Sequence, residues 1–448
     1  MGSTTPREKQ PYVPTPEQIQ LANERKARRL AGKMQQAGAP TGPPDYSRWI
    51  LPRKWLPVGF PSTPTRTRIT IMTWNMLAQS LVRRELFPGS DCLKIKDREQ
   101  MLSAEILHYD ADIVCLQEVD RLNTLLPRLR DTYNNIYASG PGKLHGCMLL
   151  YRRSRFEEIS SKVVYYDEES LLKVGTDGGE SSGATRRTKN IGLIAALRFK
   201  DGSPGSSEHN GCLVATTHLF WHPRYTYERT RQAFILLREI QKFRSALQLQ
   251  SWPVFIGGDF NSQPTEPTYS LLVGQQLLDV QKAELETSRV VHVSIDPTVG
   301  LSTVSGEEQE PSEAPSSLGN KCQKHRKEVP TKGLVQVTSR IAFREGLQVA
   351  LRSVYDEARM SSDTFGQRHG LPSDRRGSSE AMWTSFTPLW RLTLDYIFVW
   401  DGVHDERHVD PRVLSVLAPH KTESLEPGLP RKGICASDHI ALAAEVEW

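Results

Sequence analysis

The chain has 448 residues, of which 38% are hydrophobic, and a net charge of +5. No stretch approaches the roughly 18 consecutive apolar residues of a membrane span, and an N-terminal region carrying Glu8, Glu17 and Glu24 without an apolar core argues against signal and transit peptides. The six cysteines form no CxxC pair and lie largely in apolar runs, so they read as buried reduced thiols rather than disulfides or zinc ligands.

These features predict an intracellular protein, cytoplasmic and/or nuclear, with no membrane partner. The mild positive charge fits a polyanionic partner without demanding one. Residues 1–45 read as a basic tail, disordered or helical; Thr15-Pro16-Glu17-Gln18 is a capping box that predicts a helix to about residue 36. The tryptophan- and proline-containing stretch 46–60 is expected to strap onto the domain that follows.

Alternation and β-branching predict a strand over Arg68–Asn75, and helical spacing predicts a helix over 97–109. The apolar run 111–118 predicts a buried strand that ends in an acid, Glu118. Further strands are expected at 148–151, 156–166, 191–199 and 212–218, with a Gly/Ser-rich loop over 170–188. A long helix is expected over 227–250, because Phe234, Leu237, Ile240 and Phe243 recur at helical spacing.

Val254-Phe255-Ile256-Gly257-Gly258-Asp259-Phe260-Asn261 then reads as a buried strand that stops at a tight turn. A short helix follows near 268–275. Residues 284–334 and 361–381 carry little periodicity and read as disordered insertions. Structure resumes at 351–355, and 393–400 and 440–448 are the closing strands. The mixture predicts an α/β fold of four layers, two packed mixed β-sheets flanked by helices, spanning residues 46–448.

Several strands end or begin on residues of catalytic type: Asn75, Glu118, His218, Asp259 with Asn261, and Asp395. Ser437-Asp438-His439 precedes the last strand. Carboxylates and amides are hard oxygen ligands suited to Mg²⁺ or Mn²⁺, and histidines beside them suit phosphate contact and proton transfer. Taken singly, each has a plainer reading as a turn former, a core histidine or a loop residue.

Thr73-Trp74-Asn75-Met76-Leu77-Ala78, Leu116-Gln117-Glu118-Val119-Asp120, Thr217-His218-Leu219, Gly258-Asp259-Phe260-Asn261, Leu394-Asp395-Tyr396 and Ser437-Asp438-His439 together resemble the endonuclease/exonuclease/phosphatase superfamily. Trp74-Asn75-Met76-Leu77-Ala78, His218-Leu219-Phe220-Trp221-His222-Pro223 and Thr384-Ser385-Phe386-Thr387-Pro388 narrow the resemblance to the deadenylase, nocturnin and Angel branch, and within it to fungal Ngl-type RNA exonucleases.

The resemblance implies Mg²⁺-dependent 3′→5′ hydrolysis of single-stranded RNA, in poly(A) removal or rRNA 3′-end trimming. Two alternatives are a phosphatase on a small ester such as a nicotinamide dinucleotide phosphate, and an inactive RNA-binding protein. By the same resemblance, Glu118 binds the metal with Asn75 and Asp438 in support. Asp259 orients or deprotonates water, Asn261 and His218 stabilise the phosphorane, and His439 contacts the phosphate with its ring held by Asp395. Pro223 and Trp390 stand where relatives sandwich a base, and Arg152, Arg153 and Arg187 are expected to hold upstream phosphates.

Overall fold

In the first β-sheet, alternate side chains are sorted between two cores. Ile69 and Ile71 of one strand pack inward toward a second sheet, while Met72 and Trp74 of the same strand pack outward under helices. This period-two sorting is what a strand buried on both faces requires. The computed structural model describes residues 45–59, 66–170, 183–200, 210–300, 350–360, 364–365, 371, 374–400 and 410–448. The helix expected over 16–36 lies outside them. Tyr46–Trp448 forms one compact unit.

The strands in chain order are β1 (Trp55–Pro57), β2 (Arg68–Asn75), β3 (Ile113–Val119), β4 (Tyr133–Ser139), β5 (Gly146–Arg152), β6 (Phe156–Tyr165), β7 (Ile191–Phe199), β8 (Gly211–His218), β9 (Val254–Asp259), β10 (Leu351–Ser353), β11 (Ser385–Phe386), β12 (Arg391–Leu392), β13 (Asp395–Trp400), β14 (Arg412–Leu417) and β15 (Leu442–Glu447). One sheet runs β1-β14-β15-β2-β3-β5-β4 and the other β10-β13-β9-β8-β7-β6. Each is antiparallel except for one parallel pair, β2 with β3 and β8 with β9. A hairpin, β11–β12, stands apart.

The helices used below are α1 (Ile95–Tyr109), α2 (Leu122–Leu129), α3 (Thr226–Ala246), α4 (Pro267–Leu272) and α5 (Asp279–Thr287). Met101 and Ile106 of α1 and Leu125 of α2 cover the outer face of the first sheet. Leu236, Leu237 and Ile240 of α3 cover the outer face of the second. The result is the four-layer α/β/β/α sandwich expected from the sequence. The stretch expected as a strap does so through β1, which pairs with β14 at the sheet edge.

The sheets come close near Gly257. A Cβ there would stand 3.0 Å from Cys115 Sγ and 3.2 Å from the Thr73 Cβ. Gln117 of β3 crosses the gap and donates to Thr216 Oγ1 of β8 at 2.9 Å.

Residues 284–300, expected within the first disordered insertion, are instead placed as the end of α5 and the turns that follow it. Polar anchoring replaces apolar burial there: Thr226 Oγ1 donates to Glu284 at 2.7 Å, and the Tyr227 N–H donates to Ser288 Oγ at 3.0 Å. Residues 301–334 lie outside the described residues. Residues 374–381 also depart from expectation, since Glu380 is fully buried and accepts from the Tyr269 hydroxyl at 2.7 Å.

Candidate active site

The C-terminal ends of the two parallel strand pairs face each other, and the acids expected from the sequence meet there. Asn75 at the end of β2 uses one amide group to join both sheets: its Nδ2 donates to Glu118 Oε1 at 2.9 Å and to Asp259 Oδ2 at 3.0 Å. Its own Oδ1 accepts from the Leu77 N–H. Glu118 sits at a break in the β3–β5 register and has a φ of 56°. A left-handed non-glycine residue at a bulge turns its side chain off the strand direction. Glu118 Oε2 is fixed by the Ala78 N–H at 2.9 Å.

Strand register aligns the rest. On β9, Asp259 stands between His218 of β8 and Asp395 of β13. His218 Nε2 lies 3.6 Å from Asp259 Oδ2. Asn261, also left-handed, donates through Nδ2 to the Leu219 carbonyl, and its N–H donates to Asp259 Oδ1 at 2.9 Å. His439 Nδ1 lies 2.7 Å from Asp395 Oδ2, and its Nε2 lies 3.8 Å from Asp259 Oδ2. The Ser437-Asp438-His439 loop is held against β2 by Ser437 Oγ, which donates to the Asn75 carbonyl at 2.7 Å.

Burial, then the neighbouring Asp395, pushes the Asp259 carboxyl up to about 6. Burial also raises Asp438, against the pull of His439 and with help from Glu118. For His439, burial is the largest single influence and acts downward, but the carboxylates of Asp395, Asp259 and Asp438 together hold the imidazole well above its ordinary range.

This donor set fits a hard divalent cation. Glu118, Asp259, Asp395 and Asp438 are all buried, and among the described residues no ion pair joins them to a lysine or arginine. Asp395 Oδ1 is buried with no hydrogen-bond partner, and Asp259, Asp395 and His439 offer ligand atoms within 4.8 Å of one another. Like charges so placed are costly unless a cation joins them.

The acids open into a cleft of about 260 Å³ whose lining includes Glu118, His218, Asp259, Asn261, Asp438 and His439. Pro223 and Trp390 line it too. The β11–β12 hairpin fixes Trp390: its Nε1 donates to Ser385 Oγ at 3.0 Å, and Phe87 packs edge-on at 6.2 Å. Trp390 is half-buried, which leaves part of the indole available to the cleft.

Three of the expected residues are arginines, and none of them is among the residues that line the cleft. Arg152 Nε donates to Asp112 Oδ1 at 3.1 Å, and Arg153 Nη1 to the Arg130 carbonyl. Because β5 runs antiparallel to β3, its C-terminal end lies beside the start of β3, about 20 Å along the strand from Glu118. Arg187 is exposed on the segment leading into β7, three residues before Asn190, whose Nδ2 donates to the His218 carbonyl at 2.8 Å.

Two arginines that the sequence reading did not single out organise the site. Arg229 of α3 donates to the His222 carbonyl at 2.8 Å and so clamps the loop that carries Pro223. Arg98 of α1 is fully buried. It donates to the carbonyls of Ala436, Met76 and Leu77 at 2.6, 2.5 and 2.6 Å, and so ties the Asp438 loop to the end of β2. Its position three residues before Met101, on the apolar stripe, is the signal that could have revealed it. Arg98→Met leaves those carbonyls without their donor and should cost roughly 3–5 kcal/mol, read as a lowered melting temperature. Arg98→Lys should recover only part, since a single ammonium lacks the guanidinium fork.

The profile of the Endonuclease/Exonuclease/phosphatase family matches residues 72–439. A Schizosaccharomyces pombe protein named as a probable RNA exonuclease is 29% identical over 98% of this chain and 89% of its own length. RNA exonuclease NGL2 of Saccharomyces cerevisiae is 29% identical over 97% of this chain and 89% of its own. Among solved structures, ANGEL2, a 2′,3′-cyclic phosphatase in complex with adenosine-2′,3′-vanadate, shares the fold with a TM-score of 0.56 at 24% identity, over 89% of this chain and 99% of that one. The strand-end acids, the sandwich that presents them and the profile match agree: this chain belongs to the endonuclease/exonuclease/phosphatase family and is a hydrolytic enzyme.

Proposed function

We propose that the chain is a Mg²⁺-dependent 3′→5′ exoribonuclease that removes the terminal nucleotide of single-stranded RNA. The observation that carries this reading is the pairing of a buried acid centre with a half-buried indole and Pro223 in one cleft of nucleotide size. An exonuclease must grip the last nucleotide, and an unpaired base is gripped by stacking. The names of the two yeast relatives support RNA as the substrate.

Glu118, with Asn75 and Asp438, would hold the cation, Mg²⁺ or Mn²⁺. When bound, it neutralises phosphate charge and makes water a better nucleophile. Asp259, with a carboxyl near the range suited to a general base, orients the water and accepts its proton. The water oxygen bonds to phosphorus, and the bond from phosphorus to the 3′ oxygen of the upstream nucleotide breaks; that oxygen keeps the bonding pair and takes a proton from solvent to become the new 3′ hydroxyl. Asn261 and His218 donate to the charge that develops on the phosphoryl oxygens. His439, kept cationic beside Asp395, contacts the same phosphate.

The same cleft volume accommodates a mononucleotide-sized ester, so a phosphatase acting on a small phosphate ester is the second reading. A 3′-labelled RNA with a free 3′ end, the same RNA with a blocked 3′ end and a circular form, each with and without EDTA, separate the readings. Release of the terminal nucleotide from the free end alone, abolished by EDTA, is expected. Equal cleavage of all three would mean an endonuclease, and no cleavage with phosphate release from a dinucleotide phosphate would mean a phosphatase. Stacking is worth about 1–3 kcal/mol per base. Trp390→Ala should therefore cut kcat/KM on this RNA by roughly ten- to a hundredfold without unfolding the protein.

Among the described residues, no helix is long and apolar enough to cross a membrane.

A further inference from the structure

A second, smaller cavity adjoins the catalytic cleft. Its lining shares only Glu118 and His218 with the main cleft. The rest of its wall comes from the β4–β5 turn, which supplies Lys143 and His145, and from Lys189 and Asn190 just before β7. With a volume of about 20 Å³, it has room for one or two water-sized groups. That is too small for a base and suits the non-bridging oxygens of a phosphate.

The niche is built rather than incidental. The two segments that form it meet backbone to backbone, since a Cβ on Gly140 would fall 1.8 Å from the Lys189 carbonyl oxygen. Lys189 is held left-handed, at a φ of 57°. The Asp167 carboxylate fixes that conformation by accepting the N–H groups of Thr188 at 3.0 Å and Lys189 at 2.7 Å. Non-glycine residues with positive φ are uncommon and cluster at functional sites, and Leu77, Glu118 and Asn261 of the catalytic cleft share the feature.

A chain of hydrogen bonds connects the niche to the centre. Lys143 Nζ donates to Asn190 Oδ1 at 2.8 Å, and Asn190 Nδ2 donates to the His218 carbonyl at 2.8 Å. Among the described lining residues, Glu118 is the single carboxylate. The lining therefore includes two lysines and a histidine beside acids suited to a cation.

We infer that Lys143 and Lys189, with His145 beside them, form a phosphate subsite for the phosphodiester immediately 5′ of the scissile bond. The inference rests on the exoribonuclease reading and gives that reading its upstream grip. The terminal base enters the Trp390 side, the scissile phosphate lies at Glu118 and His218, and the chain leaves past the lysines. This role replaces the one expected of Arg152 and Arg153.

The test uses the full chain and two 3′-ended RNA oligonucleotides. One is unmodified. The other carries a single uncharged methylphosphonate at the linkage next upstream of the terminal one. Wild-type enzyme should release the terminal nucleotide about tenfold more slowly from the modified strand, chiefly through KM, as expected for a lost charge-assisted contact. In the Lys143→Gln/Lys189→Gln variant, the ratio of the two rates should fall toward one. Equal rates by the wild-type enzyme, or an undiminished ratio in the variant, would overturn the subsite while the exoribonuclease reading stands. No terminal release from the unmodified strand would instead sink that reading, and the subsite with it.

Discussion

Replacing Glu118 with glutamine is expected to reduce turnover by at least about a thousandfold while leaving the protein folded. The side chain keeps its shape but loses a charge from a centre of four buried carboxylates. Two readouts separate loss of a cation from loss of structure. Wild-type protein should gain thermal stability on adding Mg²⁺, because a ligand bound only by the native state stabilises it by about 2.7 kcal/mol at a hundred times its Kd. The variant should lose most of that gain. Its metal-free melting temperature should change little: the new amide keeps one acceptor for the Asn75 amide or the Ala78 N–H, and the acids around it repel less. Near-normal activity at low Mg²⁺ would remove Glu118 from the metal site.

The second large effect concerns Asp395 and His439. Their 2.7 Å contact is buried, and it fixes which ring nitrogen faces Asp395 and which faces Asp259. Removing Asp395 frees the ring to turn and removes the charge that keeps it cationic. Either alanine variant should therefore lose roughly a hundred- to a thousandfold in kcat, and the double variant should be little worse than the worse single one. Fully additive losses would show that the two act separately. Asp395→Asn sharpens the test, because it keeps the packing while weakening the hold on the imidazolium.

How much of this was legible in the sequence follows from what each residue touches. The acids could be read because they end apolar strands, where an unpaired charge has no structural excuse. Strands β2, β3 and β9 could be read because their alternation or apolar runs leave no other pattern. β4 was harder: an edge strand carrying Asn134 and Asn135 shows little apolar alternation. Residues 284–300 were misread because their anchors, Thr226, Tyr227 and Thr185, belong to other elements. Arg152 and Arg153 followed a strand, as catalytic residues do, but nothing local told which way that strand ran. Arg98 and Asn190 act on carbonyls of distant segments and Arg229 on one seven residues away, and backbone acceptors leave no mark on a sequence.

Gly257 marks a place where the sandwich has almost no clearance. Packed sheets ordinarily stand about 10 Å apart, yet a single amide, that of Asn75, reaches acids of both sheets at 2.9 and 3.0 Å. The missing methyl at Gly257 leaves room for the close approach, beside Cys115 and Thr73. A side chain there would act as a thin wedge, against which Cys115 and Thr73 would have to give way by a few tenths of an ångström. The core beyond it is continuous and could absorb such a wedge, so the damage would surface as a dull blade before it surfaced as an unfolded chain. A residue with no side chain thus bears on how closely the two sheets can bring the acids together, and a Gly257→Ala variant should lose activity before it loses stability.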